Sequence, residues 1–85
     1  MVSLRKKAMT DIFIAEPNEK YKGLFIEIKR TGTKIFNKKG EFVNEHIQEQ
    51  AEILDKLILK GYCATFGIGY TDCTEIVKKY LRNEI

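Results

Sequence analysis

A carboxylate and an ammonium group stand one residue apart in the segment GLFIEIKR, residues 23–30. They belong to Glu27 and Lys29, and three apolar side chains alternate with them: Leu24, Ile26 and Ile28. This period of two predicts a β-strand with one apolar face, and it puts Glu27 and Lys29 side by side on the opposite face. The pair is a candidate for catalysis, although strand salt bridges with this spacing are also common.

Asp11 can bring a second carboxylate to this pair. It opens the segment DIFIA, residues 11–15, an apolar strand that we expect to pair with the Glu27 strand and so to place the two carboxylates together. Carboxylates at close range repel each other unless a divalent cation lies between them. Mg²⁺ and Mn²⁺ prefer such hard oxygen ligands, often one or two carboxylates plus substrate phosphate. With Lys29 positioning a water molecule or balancing charge on the phosphate, these are the parts needed for phosphodiester hydrolysis.

Gln50 is the polar exception on the inner face of a predicted helix, residues 44–60. Asn44 is a suitable N-cap for this helix and Gly61 is placed to end it. The apolar face consists of Ile47, Ala51, Leu54, Leu57 and Ile58. Gln50 lies on the same face, where an amide without hydrogen bonds costs about 1–3 kcal/mol. Two interpretations remain open: a satisfied core glutamine, or a glutamine that faces a polar site on the sheet.

The remaining elements complete one small α/β domain over residues 1–85. Residues 31–43 carry glycines and lysines and predict an exposed loop with a short hairpin, in which Phe36, Phe42 and Val43 either contact a partner or anchor the loop. YCATFGIG, residues 62–69, predicts a third strand, and TDCTEIVKKYLR, residues 71–82, predicts a second helix. In that helix Asp72 and Glu75 resemble a capping box. Its inner stripe is Ile76, Val77, Tyr80 and Leu81. The order strand, strand, helix, strand, helix predicts a sheet covered by two helices.

The charge of the chain is unevenly distributed. Residues 1–39 hold ten Lys/Arg and four Asp/Glu, a net +6, whereas residues 40–85 hold five and eight, a net −3. The basic clusters are Arg5-Lys6-Lys7, Lys29-Arg30 and the lysines between Lys34 and Lys39. Such clusters suit a polyanion such as nucleic acid, although a solvated lysine-rich surface explains them equally well.

Other residues with chemical potential have simpler explanations. Cys63 and Cys73 lack a CxxC spacing or a companion pair of histidines, so we expect reduced, buried thiols rather than metal ligands or a disulfide. His46 lies near a helix N-terminus and we expect it to be partly exposed. Gly67 and Gly69 precede a helix, where backbone amides could hold a phosphate, but an ordinary strand-to-helix turn is the favoured interpretation.

Size and hydropathy limit the class of protein. Eighty-five residues suffice for one domain with a small core, and no apolar run approaches the roughly 20 residues of a membrane span. The N-terminal MVSLRKKAMTD has no apolar signal core. We therefore expect a cytoplasmic protein without a membrane partner.

The segments TDIFIAEPNEKYKGLFIEIKRTGTK and EHIQEQAEILDKLILKGYCATFGIGYTDCTEIVKKYL together resemble the virus-type replication-repair nuclease (VRR-NUC) family. The matching positions are an Asp at the start of one strand, an E-x-K on the next, and a Gln on the following helix: Asp11, Glu27, Lys29 and Gln50. The resemblance implies a restriction-endonuclease-like PD-(D/E)XK core, a small mixed sheet flanked by two helices. Because only ten residues precede Asp11, the N-terminal helix of that family is expected to be short or missing.

The resemblance also implies roles. Asp11 and Glu27 would bind Mg²⁺ or Mn²⁺ together with the backbone carbonyl of Ile28, Lys29 would position the attacking water, and Gln50 would reach into the site. The implied protein is a metal-dependent DNA endonuclease of the stand-alone phage type. It would act on branched, Holliday-junction-like DNA as a homodimer in a bacterial or phage-infected cell. The alternative is a non-catalytic DNA-binding or dimerisation module on the same fold.

Overall fold

A computed structural model describes residues 11–85 of the protein. Five elements follow in the predicted order: β1 (Ile12–Ile14), β2 (Leu24–Lys29), α1 (Glu45–Leu59), β3 (Cys63–Ile68) and α2 (Gly69–Leu81). Two predictions, the basic cluster at residues 5–7 and the short or missing N-terminal helix, concern residues 1–10 and lie outside the described residues.

The three strands form one mixed sheet in the order β1-β2-β3. β1 pairs antiparallel with β2, with Ile12 opposite Ile26, because the 15–23 connection is short enough to return the chain beside itself. β3 pairs parallel with β2, with Glu27 opposite Phe66, because α1 carries the chain back across the sheet before β3 begins. β2 is therefore the central strand, and it carries the E-x-K residues.

The two faces of the sheet are covered by different helices. Alternation along β2 puts the fully buried Leu24 and Ile26 on the side of α2, where they form the core with Cys63, Cys73 and Tyr80. Both cysteines are free and buried, as predicted, and burial raises the pKa of each thiol. Ile28 is the exception on this side. It is 41% exposed, because the end of β2 extends past the part that the core covers.

The N-terminus of α1 has the predicted cap. Asn44 has an extended backbone conformation, and its side-chain oxygen accepts a hydrogen bond of 2.9 Å from the Ile47 N–H. Ile47 and Leu54 are buried against the sheet, but the prediction that Ile58 belongs to the buried face is wrong. It is 47% exposed, because the last turn of α1 passes the edge of the small sheet.

The start of α2 differs from the prediction. The helix begins at Gly69, with Ile68 as its N-cap, and the Asp72 carboxylate accepts a 2.7 Å hydrogen bond from the Ile68 N–H. Asp72 thus caps the helix from inside its first turn, and the capping box that would start at Asp72 is wrong. The cause is Gly69, whose positive φ of 84° turns the chain from β3 directly into the helix. Leu81, predicted for the inner stripe, is 52% exposed.

The 31–43 loop contains the short hairpin that its sequence predicts. Phe36 and Phe42 form an isolated antiparallel bridge, and their rings stack with centroids 4.9 Å apart. The Asn37 side chain fixes the turn by accepting hydrogen bonds from the N–H groups of Lys39 and Glu41. Both phenylalanines line a groove with α1 and β3, which favours loop anchoring as their role. None of the helices in residues 11–85 is long and apolar enough to cross a bilayer.

Candidate metal-binding active site

Asp11 is fixed at the point where β1 meets the end of β2. Its backbone N–H donates to the Ile26 carbonyl at 3.1 Å, and its side-chain Oδ2 accepts from the Ile28 N–H at 2.8 Å. These two bonds lie on either side of Glu27 in the β2 sequence. The strand pairing therefore holds the Asp11 carboxylate beside the strand position that carries Glu27, as the sequence predicts.

Glu27 and Gln50 meet between the sheet and α1. The alternation of β2 turns Glu27 towards α1, where its side chain is only 7% exposed. Gln50 lies on the inner face of α1, and its Nε2 donates a hydrogen bond of 2.8 Å to Glu27 Oε2. A buried carboxylate is rare unless it is paired or bound to a metal, and among residues 11–85 the amide that donates to this one is neutral. The pair is therefore an incompletely neutralised polar site within an apolar layer.

The two carboxylates perturb each other. Burial raises the pKa of Glu27 from its ordinary 4.5 to about 7. The negative charge of Asp11 and a hydrogen bond between the two carboxyl groups add to this rise, whereas the positive charge of Lys29 opposes it. Glu27 thus binds a proton near neutral pH, which is the expected behaviour of two acidic groups that share one small space.

Comparison with solved structures identifies a related fold. A structure described as a VRR_NUC domain protein superposes on 88% of this chain with a TM-score of 0.69 and 25% sequence identity. The chain has a VRR_NUC-like fold. It spans 53% of the length of that matched chain. No protein-family model and no curated protein sequence matches the chain.

The structural match confirms two predictions made from the sequence, the resemblance to VRR-NUC proteins and the small α/β fold with a mixed three-stranded sheet and two helices. The VRR_NUC-like fold is a nuclease-family fold. The roles of individual residues are not tested by this match, and they stay predictions that the local geometry must support.

Lys29 lies next to the carboxylates of the VRR_NUC-like fold without pairing with them. Its side chain is half-buried, and its positive charge opposes the rise of the Glu27 pKa without cancelling it. Within residues 11–85 the only salt bridge joins Arg82 and Glu84, so neither Asp11 nor Glu27 is within 4 Å of the Lys29 ammonium. The ammonium therefore remains available for a phosphate or a water molecule.

Gln50 has one unused polar atom. Its Oε1 is buried and has no hydrogen-bond donor in the described part of the chain. A buried acceptor without a partner costs about 1–3 kcal/mol, and a water molecule bound between the carboxylates could supply the missing donor. The amide thus connects to Glu27 through its nitrogen, and its oxygen has no partner within residues 11–85.

The donor set consists of oxygen atoms and fits the hard cations Mg²⁺ and Mn²⁺ better than zinc or copper, which prefer imidazole and thiolate ligands. The described residues hold no group of three or more His, Cys, Asp or Glu side chains arranged around a metal position. They do hold two adjacent carboxylates, and next to them the carbonyl of Ile28, the residue that anchors Asp11. Mg²⁺ usually takes one or two carboxylates and fills its other positions with water and phosphate. A dication would also remove the repulsion that raises the Glu27 pKa.

Other candidates from the sequence are not part of this site. His46 is exposed in the first turn of α1, as expected. Gly67 lies within β3, where a Cβ atom would come 2.5 Å from Cys73 Sγ, so this glycine serves the close packing of α2 on the sheet. Sequence reasoning missed the Ile28 N–H as the group that orients Asp11, because no side-chain pattern reports a backbone donor.

We expect Glu27→Gln to stabilise the metal-free protein at pH 8 and to leave it nearly unchanged at pH 5. With its pKa raised to about 7, Glu27 favours the folded state fully below pH 4.5, and this contribution is lost as the pH rises through 7. The new amide cannot ionise, and it keeps an oxygen that can accept from Gln50. The difference at pH 8 is at most about 3 kcal/mol, from roughly 1.4 kcal/mol per pKa unit.

Chemical denaturation in EDTA at both pH values measures this difference. Glu49→Gln, which changes an exposed carboxylate on α1, is the matched control and should show no such pH dependence. Equal pH profiles for Glu27→Gln and the parent protein would show that folding does not raise the Glu27 pKa.

Proposed function

We propose that the protein is a divalent-metal-dependent endonuclease that hydrolyses phosphodiester bonds in DNA, with Mg²⁺ or Mn²⁺ as its cofactor. One observation carries the proposal: a buried carboxylate, Glu27, is held against Asp11 and Gln50 at the end of the central strand of a nuclease-family fold. A group that is kept buried and incompletely neutralised contributes little to stability, so a binding function explains it better than packing does.

Each residue has a distinct part in this proposal. The Asp11 and Glu27 carboxylates and the Ile28 carbonyl hold the cation. When bound, a divalent cation polarises the phosphate and makes water a better nucleophile near neutral pH. Lys29 is free of ion pairs within residues 11–85, so its ammonium can orient the attacking water and stabilise negative charge on the phosphate oxygens. Gln50 fixes the Glu27 carboxylate and accepts a hydrogen bond from a water molecule in the site.

DNA is the substrate that the charge distribution favours. The exposed lysines of the 31–43 loop, Lys34, Lys38 and Lys39, form no salt bridge within the described residues and are available to contact the phosphate backbone. Contacts of this kind position the nucleic acid without reading its sequence, which suits an enzyme selective for DNA structure. A preference for branched, junction-like DNA follows from the resemblance to VRR-NUC proteins and belongs to the proposal.

We expect Asp11→Ala, Glu27→Ala and Lys29→Ala each to remove nearly all cleavage of branched DNA in Mg²⁺ or Mn²⁺. Loss of one charged group that acts on the transition state lowers the rate on the order of 100- to 1,000-fold. The effects should be strongly non-additive, since the three groups act as one unit. Cleavage of junction and linear DNA in Mg²⁺, in Mn²⁺ and in EDTA provides the measurement.

Glu49→Ala, which removes an exposed carboxylate one residue from Gln50, is the control and should cleave like the parent protein. Full activity of Glu27→Ala in Mn²⁺ would be incompatible with the proposed nuclease site. DNA binding by a parent protein that never cleaves would instead favour the non-catalytic DNA-binding module.

We expect Gln50→Leu to keep the melting temperature within a few degrees and to lose most catalysis. The substitution removes one hydrogen bond to Glu27 but also removes the unsatisfied Oε1, so the two effects on stability oppose each other. Melts and cleavage assays on the same samples decide the matter. Gln48→Leu, at an exposed position two residues earlier, is the matched control. A fully active Gln50→Leu protein would assign Gln50 to packing alone.

The proposed enzyme acts as a homodimer. One metal site cuts one strand, whereas two sites related by two-fold symmetry can cut the matching strands of a symmetric junction. Several large apolar side chains are exposed and available for a partner, among them Phe13, Ile58 and Leu81. Light scattering at micromolar concentration should therefore give twice the chain mass of 9.9 kDa. A mass of one chain would contradict the dimer without affecting the metal site.

A further inference from the structure

A groove of about 580 Å³ lies on the α2 side of the sheet, beside the proposed active site. This volume is within the range of roughly 300–1,000 Å³ found for ligand sites. The floor and walls are mainly apolar, formed by Ile12, Ile28, Cys73 and Val77. Lys29, Arg30 and Tyr70 also line the groove, so it combines apolar surface with positive charge and one large aromatic ring.

Tyr70 is unusually exposed for an aromatic residue in so small a domain. Its side chain is 85% exposed, and within residues 11–85 it makes no aromatic or side-chain hydrogen-bond contact. Its backbone is nevertheless well fixed, since its carbonyl accepts a 2.8 Å hydrogen bond from Thr74 Oγ1. The preceding Gly69 packs so closely on Thr31 that a Cβ atom there would clash with the threonine hydroxyl. The fold thus presents the Tyr70 ring to solvent from a rigid position.

The groove adjoins the proposed metal site at the end of β2, on the other face of the sheet from Glu27. The Ile28 N–H donates to the Asp11 carboxylate, whereas the Ile28 side chain lines the groove. Lys29 also lines the groove, and its charge acts on Glu27. Successive side chains of a strand point to opposite faces, so Ile28 faces the groove and Glu27 faces α1. Asp11 is close to both, since its charge raises the pKa of Glu27 and that of the groove residue Cys73.

The charge of the groove indicates an anionic occupant. Neither Lys29 nor Arg30 forms a salt bridge with any residue in the 11–85 range. The nearby negative charges are Asp72, whose carboxylate accepts from the Ile68 N–H, and Asp11, whose carboxylate accepts from the Ile28 N–H and would hold the cation. An apolar slot with an exposed aromatic ring and unpaired cations has the features by which proteins bind unpaired nucleotides, with the base on the ring and the phosphate on the cations.

We propose that this groove binds one unpaired nucleobase of the DNA substrate, stacked on Tyr70, next to the phosphate that would contact the cation at Asp11 and Glu27. Arg30 contacts the phosphate of that same nucleotide. The base has to be unpaired, because a base within a duplex is stacked on both faces and cannot reach a protein pocket. This inference rests on the proposed nuclease function and adds a specificity site to it: the enzyme selects positions where a base has left the double helix.

The test measures the affinity of the full chain, carrying Glu27→Gln to prevent cleavage, for a forked duplex with one single-stranded arm. We expect Tyr70→Ala to weaken binding about 5- to 100-fold, the range for one base on an aromatic platform. Tyr70→Phe, which keeps the ring, should bind normally. Leu59→Ala removes another side chain of similar exposure, 86%, at the far end of α1, and should also bind normally.

An abasic nucleotide moved stepwise along the arm identifies the base itself. Removing the base at one position should weaken binding of the protein that keeps Tyr70 by the same factor as Tyr70→Ala does. It should not weaken binding of Tyr70→Ala any further. If base removal at every position weakened binding of Tyr70→Ala as much as binding of the protein that keeps Tyr70, the result would overturn the proposed pocket. So would a change from dimer to monomer in Tyr70→Ala, since a second copy of the chain would then occupy the groove.

If Tyr70→Ala binds normally while the parent protein cleaves DNA in a Glu27-dependent way, only the pocket is wrong. If the parent protein neither binds nor cleaves DNA, the proposed function fails as well.

Discussion

The repulsion between the Asp11 and Glu27 carboxylates is the constraint on which the candidate site depends. Folding brings these groups together in a place where water is largely excluded from Glu27, and its pKa rises to about 7 as a result. A chain under selection for stability alone would place an apolar residue there, because the rest of the layer between sheet and α1 is apolar. A positive charge between the two carboxylates would offset their repulsion, which is why a cation site is the simplest physical explanation.

Strand pairing is what holds the two carboxylates against this repulsion. β1 has only three residues, yet Asp11 continues its pairing with β2 through the Ile26 carbonyl and adds a side-chain bond to the Ile28 N–H. Glu27 in turn is held by Gln50 from the helix that connects β2 to β3. Three separate segments are thus joined at one point, and each contact crosses from one segment to another. Their relative positions follow from the hydrophobic core on the other face, where Leu24 and Ile26 pack against Tyr80.

Much of this arrangement could be read from the sequence because it follows periodic patterns. The alternation in LFIEIK predicted the faces of β2, and helical spacing from Ile47 predicted that Gln50 would face the sheet. The errors concern residues near the ends of the two helices. Ile58 and Leu81 have the helical spacing of the buried residues, but they extend past the core. Asp72 was misassigned because a positive-φ glycine moved the start of α2 by two residues, from 71 to 69, and local side-chain chemistry does not reveal that turn. The groove beside Tyr70 has no sequence signal, since it is formed by residues from β1, β2 and α2.

The same carboxylate pair links cation binding to folding. A cation at Asp11 and Glu27 has to displace the proton that Glu27 retains near neutral pH, so affinity must increase as the pH rises through 7. In the metal-free protein the ionised pair opposes the β1–β2 contact, and β1 is the shortest strand with the fewest residues to resist it. A bound cation reverses the sign of that interaction, and any ligand that binds only the folded chain stabilises it in proportion to RT ln(1 + [L]/Kd). The region that gains most is the start of β1 at Asp11. Under the proposed function, cation binding and the local stability of the β1–β2 contact would therefore depend on the same electrostatic interaction.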